Sequence, residues 1–422
     1  MILKLIIVLI ATVAFRQPSD SSYTEKSAMD VYAIQPERAL QIIDSAEIVG
    51  NMTPLRADLF RAFIYSRTGE EMNYDSAILI GERLMLHDSV VENDDLQEDV
   101  LEILLNACRL QKDYEPALQW ATRLGELYRS CNEETEALRI DAEIGTLLVR
   151  IGQQEEGVAK IDSVISQLDG KRKFNELDAL IIALKRKGEI LNELGWCNEV
   201  PLTVQHMLDL LNDYEHHPAD YHDGTLREPE EENIPDYVDF YRGKGYAYLA
   251  SAYASLNEKE KASAYLTLYE QTAAGQNLAG RFMITSTLIE LGEYDRVLDI
   301  FDEVVQQMDA DTMNANYAII LRGRAEAAKA QGRYADASGY WRRYVELSLL
   351  LNEQLLQSKA HLYAARFHAQ EQQHEIERHR EATRRAMQSR TMFGLIGLLM
   401  LFFALYAFIQ WSKTKRRNRI LV

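Results

Sequence analysis

A turn residue, an aromatic, a small or β-branched residue three positions on and a large apolar residue four beyond that recur in one order along the chain. The order appears in LQKDYEPALQWATRL (Leu110–Leu124), LGEYDRVLDIFDEV (Leu291–Val304) and QGRYADASGYWRRY (Gln331–Tyr344). Apolar positions three and four apart share one helix face, so each segment predicts a helix end, a tight turn and an amphipathic second helix. Gly292 and Gly332 supply residues able to adopt positive φ where the first helix stops. Tyr294 and Tyr334 open the second helix, and Val297 and Ala337 occupy the close-packed position where the two helices cross. Phe301 and Trp341 fill the space towards the next hairpin.

Looser copies place the close-packed residue at Ala39, Ala77, Ala117, Gly157, Val200, Ala262, Val297 and Ala337. The successive intervals are 38, 40, 40, 43, 62, 35 and 40 residues. Such a period implies an all-α solenoid, because a single hairpin cannot bury its apolar face alone and must stack on its neighbours. The pattern resembles the tetratricopeptide repeat (TPR), over residues 25–344 and about eight helical hairpins. It departs from that family in lacking the usual first-helix Trp, and in carrying Val200 and Val297 at the small-residue position. Intervals longer than the family's roughly 34-residue unit imply extended helices or turns. The resemblance implies a superhelix whose first helices line a concave groove that binds a protein or peptide. Tyr253, Arg281 and Arg324 are the residues expected to line that groove.

The 62-residue interval contains an acidic insert at 212–236, NDYEHHPADYHDGTLREPEEENIPD. Three prolines, nine acidic residues and one cation, Arg227, predict a protruding or partly disordered loop. His216, His217 and His222 beside Asp220 and Asp223 form the one candidate cluster for Zn²⁺ or Cu²⁺. No HExxH-like spacing preorganises them, so a solvated acidic loop, or a contact for a basic partner, competes with that reading, and neither a metal nor another cofactor is assigned.

The two ends read differently from the middle. Met392–Trp411 is a run of twenty residues without a charge. It would form a helix of roughly 30 Å, the thickness of a bilayer's hydrocarbon core. Five cations follow in the tail 412–422. At the other end, residues 1–17 combine an early Lys4, an apolar run and small residues Thr12 and Ala14, the pattern of a secretory signal or short anchor. Together they predict a single-pass inner-membrane protein with a periplasmic array and a cytoplasmic basic tail. Between array and span, 345–391 reads as a capping and stalk helix whose second half is polar all round. Such a helix is either paired with a copy of itself in a homodimeric coiled coil or held as a monomeric stalk between anchored ends.

This layout is similar to membrane-bound TPR regulators of Bacteroidota, on the stalk HAQEQQHEIERHREATRRAM, the span and KTKRRNRILV. That resemblance implies the sensing part of a signalling or transcription-regulating system, with a cytoplasmic partner. A static scaffold that tethers an envelope complex is the alternative. No kinase or DNA-reading region is seen before Val422, so the output is expected from another chain.

Composition removes several classes. With 46 Lys and Arg against 65 Asp and Glu, the net charge of −19 argues against a nucleic-acid surface. Cys108, Cys131 and Cys197 are far apart and form no disulfide framework or CxxC motif. No GxSxG, Walker, HExxH or Rossmann pattern occurs, so no catalytic residue is assigned and the chain is not expected to be an enzyme.

Overall fold

The computed structural model describes residues 23–67, 71–225, 227–308, 312–357, 359–365 and 400. Among them there is no strand. The expected signal segment (1–17), most of the stalk (366–391), the span (392–411, Met400 apart) and the tail (412–422) lie outside these residues. Among the described residues no helix is long and apolar enough to cross a membrane. Met1–Ser358 forms one compact unit and Lys359–Val422 a second, whose described part is a helical stretch at 359–365 and Met400.

The first unit is a succession of antiparallel helix pairs. These are α1 (Glu25–Met29) with α2 (Pro36–Ile48), and α3 (Pro54–Tyr65) with α4 (Glu71–Leu84). After the single turn α5 (Asp88–Val91) come α6 (Asp94–Leu110) with α7 (Tyr114–Ser130), and α8 (Glu134–Arg150) with α9 (Gln154–Leu168). Next is α10 (Phe174–Glu193) with α11 (Val200–His216), followed by α12 (Ile234–Ser255) with α13 (Lys259–Glu270). Three short helices, α14 (Ala273–Gln276), α15 (Leu278–Met283) and α16 (Thr285–Leu291), precede α17 (Tyr294–Gln307). The last pair is α18 (Ala315–Ala330) with α19 (334–357).

One turn closes six of these hairpins. Its central residue is left-handed: Lys112, Gly152, Gly195, Asn257, Gly292 and Gly332 all have φ between 58° and 95°. The amide that follows donates to the carbonyl five residues back. Asp113 reaches Cys108 at 2.8 Å, Gln153 reaches Leu148 at 2.9 Å, and Trp196 reaches Leu191 at 2.8 Å. Glu258, Glu293 and Arg333 repeat the bond to Tyr253, Leu288 and Ala328. These bonds satisfy carbonyls that a helix end leaves unpaired and point the chain back along its own path. Five positions after each left-handed residue comes the crossing residue: Ala117, Gly157, Val200, Ala262, Val297 and Ala337. All six are buried, as are Ala39 and Ala77.

Helix length sets the interval. Helices α6, α7 and α8 each have 17 residues, and three-residue turns separate them. Even the link between hairpins, at Asn132, uses the left-handed turn, with Glu133 bonded to Tyr128. The interval near 40 therefore comes from long helices rather than long loops.

Two segments depart from regularity. Between Glu270 and Tyr294 the expected single first helix is broken into α14, α15 and α16. Thr272 Oγ1 accepts from the Gly275 amide at 3.2 Å and Asn277 Oδ1 from the Gly280 amide at 2.7 Å. Each cap starts a new helix, and Tyr269 Oη fixes the bend by donating to the Gly280 carbonyl at 2.9 Å. At the other end of the unit, the second helix of the last hairpin runs on past Tyr344 to 357, and Leu347 and Leu351 of this stretch pack on the core with Tyr317 and Leu321.

Helices α8 and α9 cross where Gly145 meets Gly157. A Cβ on Gly157 would collide with the Gly145 carbonyl oxygen and lie 2.6 Å from Val149 Cγ2. Gly157→Ala should therefore destabilise the array by about 1–3 kcal/mol despite the better helix former. Gly339 lies on the exposed face of α19 with no atom near its missing Cβ. Gly339→Ala should accordingly be neutral or stabilising by up to about 1 kcal/mol. Chemical denaturation of the two variants beside the parent checks the opposite signs.

Candidate functional site

The first helices of three successive hairpins carry a polar stripe on the face turned away from their core. On α6 the stripe is Glu102, Asn106 and Arg109; on α8 it is Glu136, Arg139, Glu143, Thr146 and Arg150; on α10 it is Ile182, Lys185, Arg186 and Glu189. Steps of three and four keep each set on one face. Stacking sets the three stripes side by side around a cavity of about 650 Å³. Tyr114 and Tyr128 of α7, Arg67 and Arg227, and the apolar Leu105, Leu124, Ile140 and Leu147 complete its lining. A smaller cavity of about 260 Å³ shares Arg67, Glu102 and Asn106 and extends towards Arg56 and Phe60.

The floor is a buried polar network. Arg139 is 9% exposed, Asp178 7%, and Arg139 Nη1 lies 2.5 Å from Asp178 Oδ2. Arg139 Nη2 donates to the Asn175 carbonyl at 2.7 Å, and Tyr237 Oη donates to Asp178 Oδ1 at 2.8 Å. Helices α8, α10 and α12 are thus tied through one carboxylate. Burial, then the Asp178 charge, drive the Tyr237 phenol far above its ordinary range, so it stays a donor.

Seven Lys and Arg line the groove against four Glu, the reverse of the balance in the whole chain. Glu136 is shared by Arg139 at 3.4 Å and Arg227 at 3.0 Å. Buried Glu143 is held by Arg186 and lies 3.8 Å from Arg109. Burial pushes the Glu102 carboxyl up, reinforced by Glu98, which weakens its negative charge. Burial also pulls Lys185 down, helped by Arg186 and opposed by Glu189 at 4.0 Å.

The insert does not protrude as an unfolded acidic loop. Tyr221 is buried against Tyr214 with ring centroids 5.7 Å apart, and its carbonyl accepts from the Phe174 amide at 2.7 Å. Asp223 caps the start of α10 by accepting from the Asn175 amide at 2.8 Å. Its carboxyl is pushed up by burial, but that amide and the Thr225 amide and hydroxyl outweigh burial and hold it low. Arg227 carries the insert to Glu136 and so to the edge of the groove.

The three insert histidines do not converge. His216 Nδ1 faces the Asn212 carbonyl at 2.8 Å, His217 Nδ1 faces Asp213 at 3.3 Å, and His222 Nδ1 faces Glu228 at 2.9 Å. Among the described residues no group of three His, Cys, Asp or Glu is placed to hold a metal ion. The three residues expected in the groove line none of this cavity. Tyr253 stacks on Tyr265 at 5.6 Å with Lys261 above it; Arg281 pairs with Glu303 at 2.6 Å, and Arg324 pairs with Asp302. Those contacts join neighbouring helices and leave the side chains engaged. The groove residues themselves went unread, although charged residues at steps of three and four along α6, α8 and α10 carry the signal.

Removing Asp178 would strand a buried guanidinium. Asp178→Ala should cost about 3–5 kcal/mol, and pairing Arg139→Met with Asp178→Leu should recover most of it, as read by urea denaturation. The His222–Glu228 contact titrates from both sides. Its hydrogen bond to Glu228 raises His222 above its ordinary 6.5, so that contribution is present below 6.5 and lost as pH rises through the raised value. Burial pushes Glu228 up from 4.5, but hydrogen bonds from His222 and the Gly224 and Asp223 amides outweigh it. Its contribution therefore exists above 4.5 and is lost as pH falls through the lowered value. The insert should be held best between about 4.5 and 6.5. An NMR titration should place His222 above 6.5 in the parent and lower it towards the ordinary value in Glu228→Gln.

No family model matches this chain, and no curated protein matches it in sequence. Among solved structures, it is similar to a Rap protein crystallised in complex with competence and sporulation factor. The TM-score is 0.50 at 14% identity, over 83% of this chain and 92% of that one. At that identity the likeness concerns the fold alone. With the repeating helix pairs, it makes the described array a TPR-like α-solenoid.

Proposed function

We propose that the array is a binding module for a peptide or protein segment, seated in the groove across α6, α8 and α10. The observation that carries this reading is the groove itself, about 650 Å³ with a floor fixed by the Arg139–Asp178–Tyr237 network. A preorganised, partly desolvated polar surface of this size is suited to holding an extended segment. The Rap protein similar in fold was crystallised with a competence and sporulation factor bound, which is in keeping with a solenoid that takes a ligand. In this reading the module acts by binding. With the apolar run 392–411 as membrane anchor and 1–17 as export signal, it is an extracytoplasmic module that senses its partner and passes the signal to a cytoplasmic chain.

The test is site-specific photo-crosslinking in intact cells, with benzoylphenylalanine at Asn106 or Thr146 in the groove and at Gln119 or Ser166 on exposed second-helix faces. Groove positions should capture a discrete partner that the outer positions miss. Capture from the outer positions alone would move the binding surface to the other face of the array.

A further inference from the structure

We infer that the groove's partner is acidic: an extended peptide segment whose Asp or Glu side chains seat among Arg109, Lys185 and Arg186. This deepens, and rests on, the reading of the groove as a peptide site. The first argument is the inversion of charge. A chain of net −19 concentrates seven cations and four carboxylates in one cavity.

The second argument is how those charges are already used. Glu136 and Glu143 each face two arginines, so two of the groove's four carboxylates are already engaged. Three cations are only loosely held. Arg109 has its nearest at 3.8 Å, Lys185 its nearest at 4.0 Å, and the Arg67 guanidinium lies 4.5 Å from the Phe63 ring centroid. Lys185 is also half-buried, and burial with Arg186 and, from α12, Lys244 outweighs Glu189 and Glu143, so its ammonium is incompletely compensated. An incoming carboxylate would relieve that deficit, whereas a basic or neutral segment would leave it in place.

Geometry selects a peptide over other anions. Three successive first helices, α8 packed on α10 and α6 joined to α8 through α7, line a trough on the order of 20 Å long, enough for about six extended residues. A nucleic acid would carry its phosphates onto the acidic surface outside the trough, where repulsion opposes it. The cations also lie in a concave lining rather than on a projecting edge that could meet a flat lipid surface.

The test pans a random nonapeptide display library on the full-length chain. Selected peptides are then synthesised with fluorescein, each beside a version with Asp and Glu replaced by Asn and Gln. The selected set should be enriched in Asp and Glu, and the amide versions should bind about tenfold or more weakly, with the difference shrinking at high salt. Arg109→Glu with Lys185→Glu should lose about tenfold or more for the acidic peptide. Arg109→Gln with Lys185→Met, which removes charge without reversal, should lose less and guards against misfolding. Peptides that bind the groove without acidic enrichment would overturn this inference and leave the groove as a peptide site. Acidic peptides indifferent to both double variants would also overturn it, because the acid would be read elsewhere. Failure to select any peptide would overturn both the inference and the peptide reading of the groove.

Discussion

The array depends on the left-handed turn that ends the first helix in six of its hairpins. One residue at positive φ lets the next amide reach back five positions, and that bond sets where the second helix begins. Five positions later the crossing residue always faces the first helix, so its size decides how near the two axes come. At Gly145 and Gly157 the approach leaves no room for a methyl group on either strand of the crossing. Lys112 and Asn257 take the left-handed conformation without being glycine, at a cost of about 1 kcal/mol each. The geometry is kept at those two turns although the residue is not ideal for it.

Once turn and crossing are fixed, so is the direction in which the remaining face of each first helix points. The core side is apolar, with Leu104, Leu138 and Leu180 fully or almost fully buried. The opposite side is free to carry charge, and it does so on three neighbouring helices. Apolar residues in place of Arg139 and Asp178 would hold α8 and α10 together equally well. They would not present an ordered guanidinium at the groove floor. The ion pair is therefore better understood as a device that orients the groove than as a source of stability.

How much of this was legible depended on the range of the contact. The hairpins showed in the sequence because turn, aromatic and crossing residue lie within ten positions of each other. The breaks at Thr272 and Asn277 were equally local, two caps each followed by a glycine three residues on, yet the period masked them. The insert announced itself by its length and prolines, but its docking did not. Asp223 finds its partner amide 48 positions away at Asn175, and Arg227 finds Glu136 91 positions away. No local pattern encodes such pairs. Tyr253, Arg281 and Arg324 were expected in the groove as residues of the first helices. The groove is defined by face, and its charged residues form a pattern only when three helices are aligned side by side.

The position of the insert follows from the same constraint. A stacked array cannot accept twenty extra residues inside a helix without losing the crossing register, so added length must emerge at a turn. Here it emerges between α11 and α12 and folds back over the starts of α10 and α8. That path buries Tyr221 against Tyr214 and brings Arg227 beside Glu136 at the groove's rim. A segment that repeat geometry could only push to an edge thereby supplies one of the groove's cations. The groove's charge is consequently set jointly by the repeats, which fix three stripes, and by the interruption, which closes one side of them.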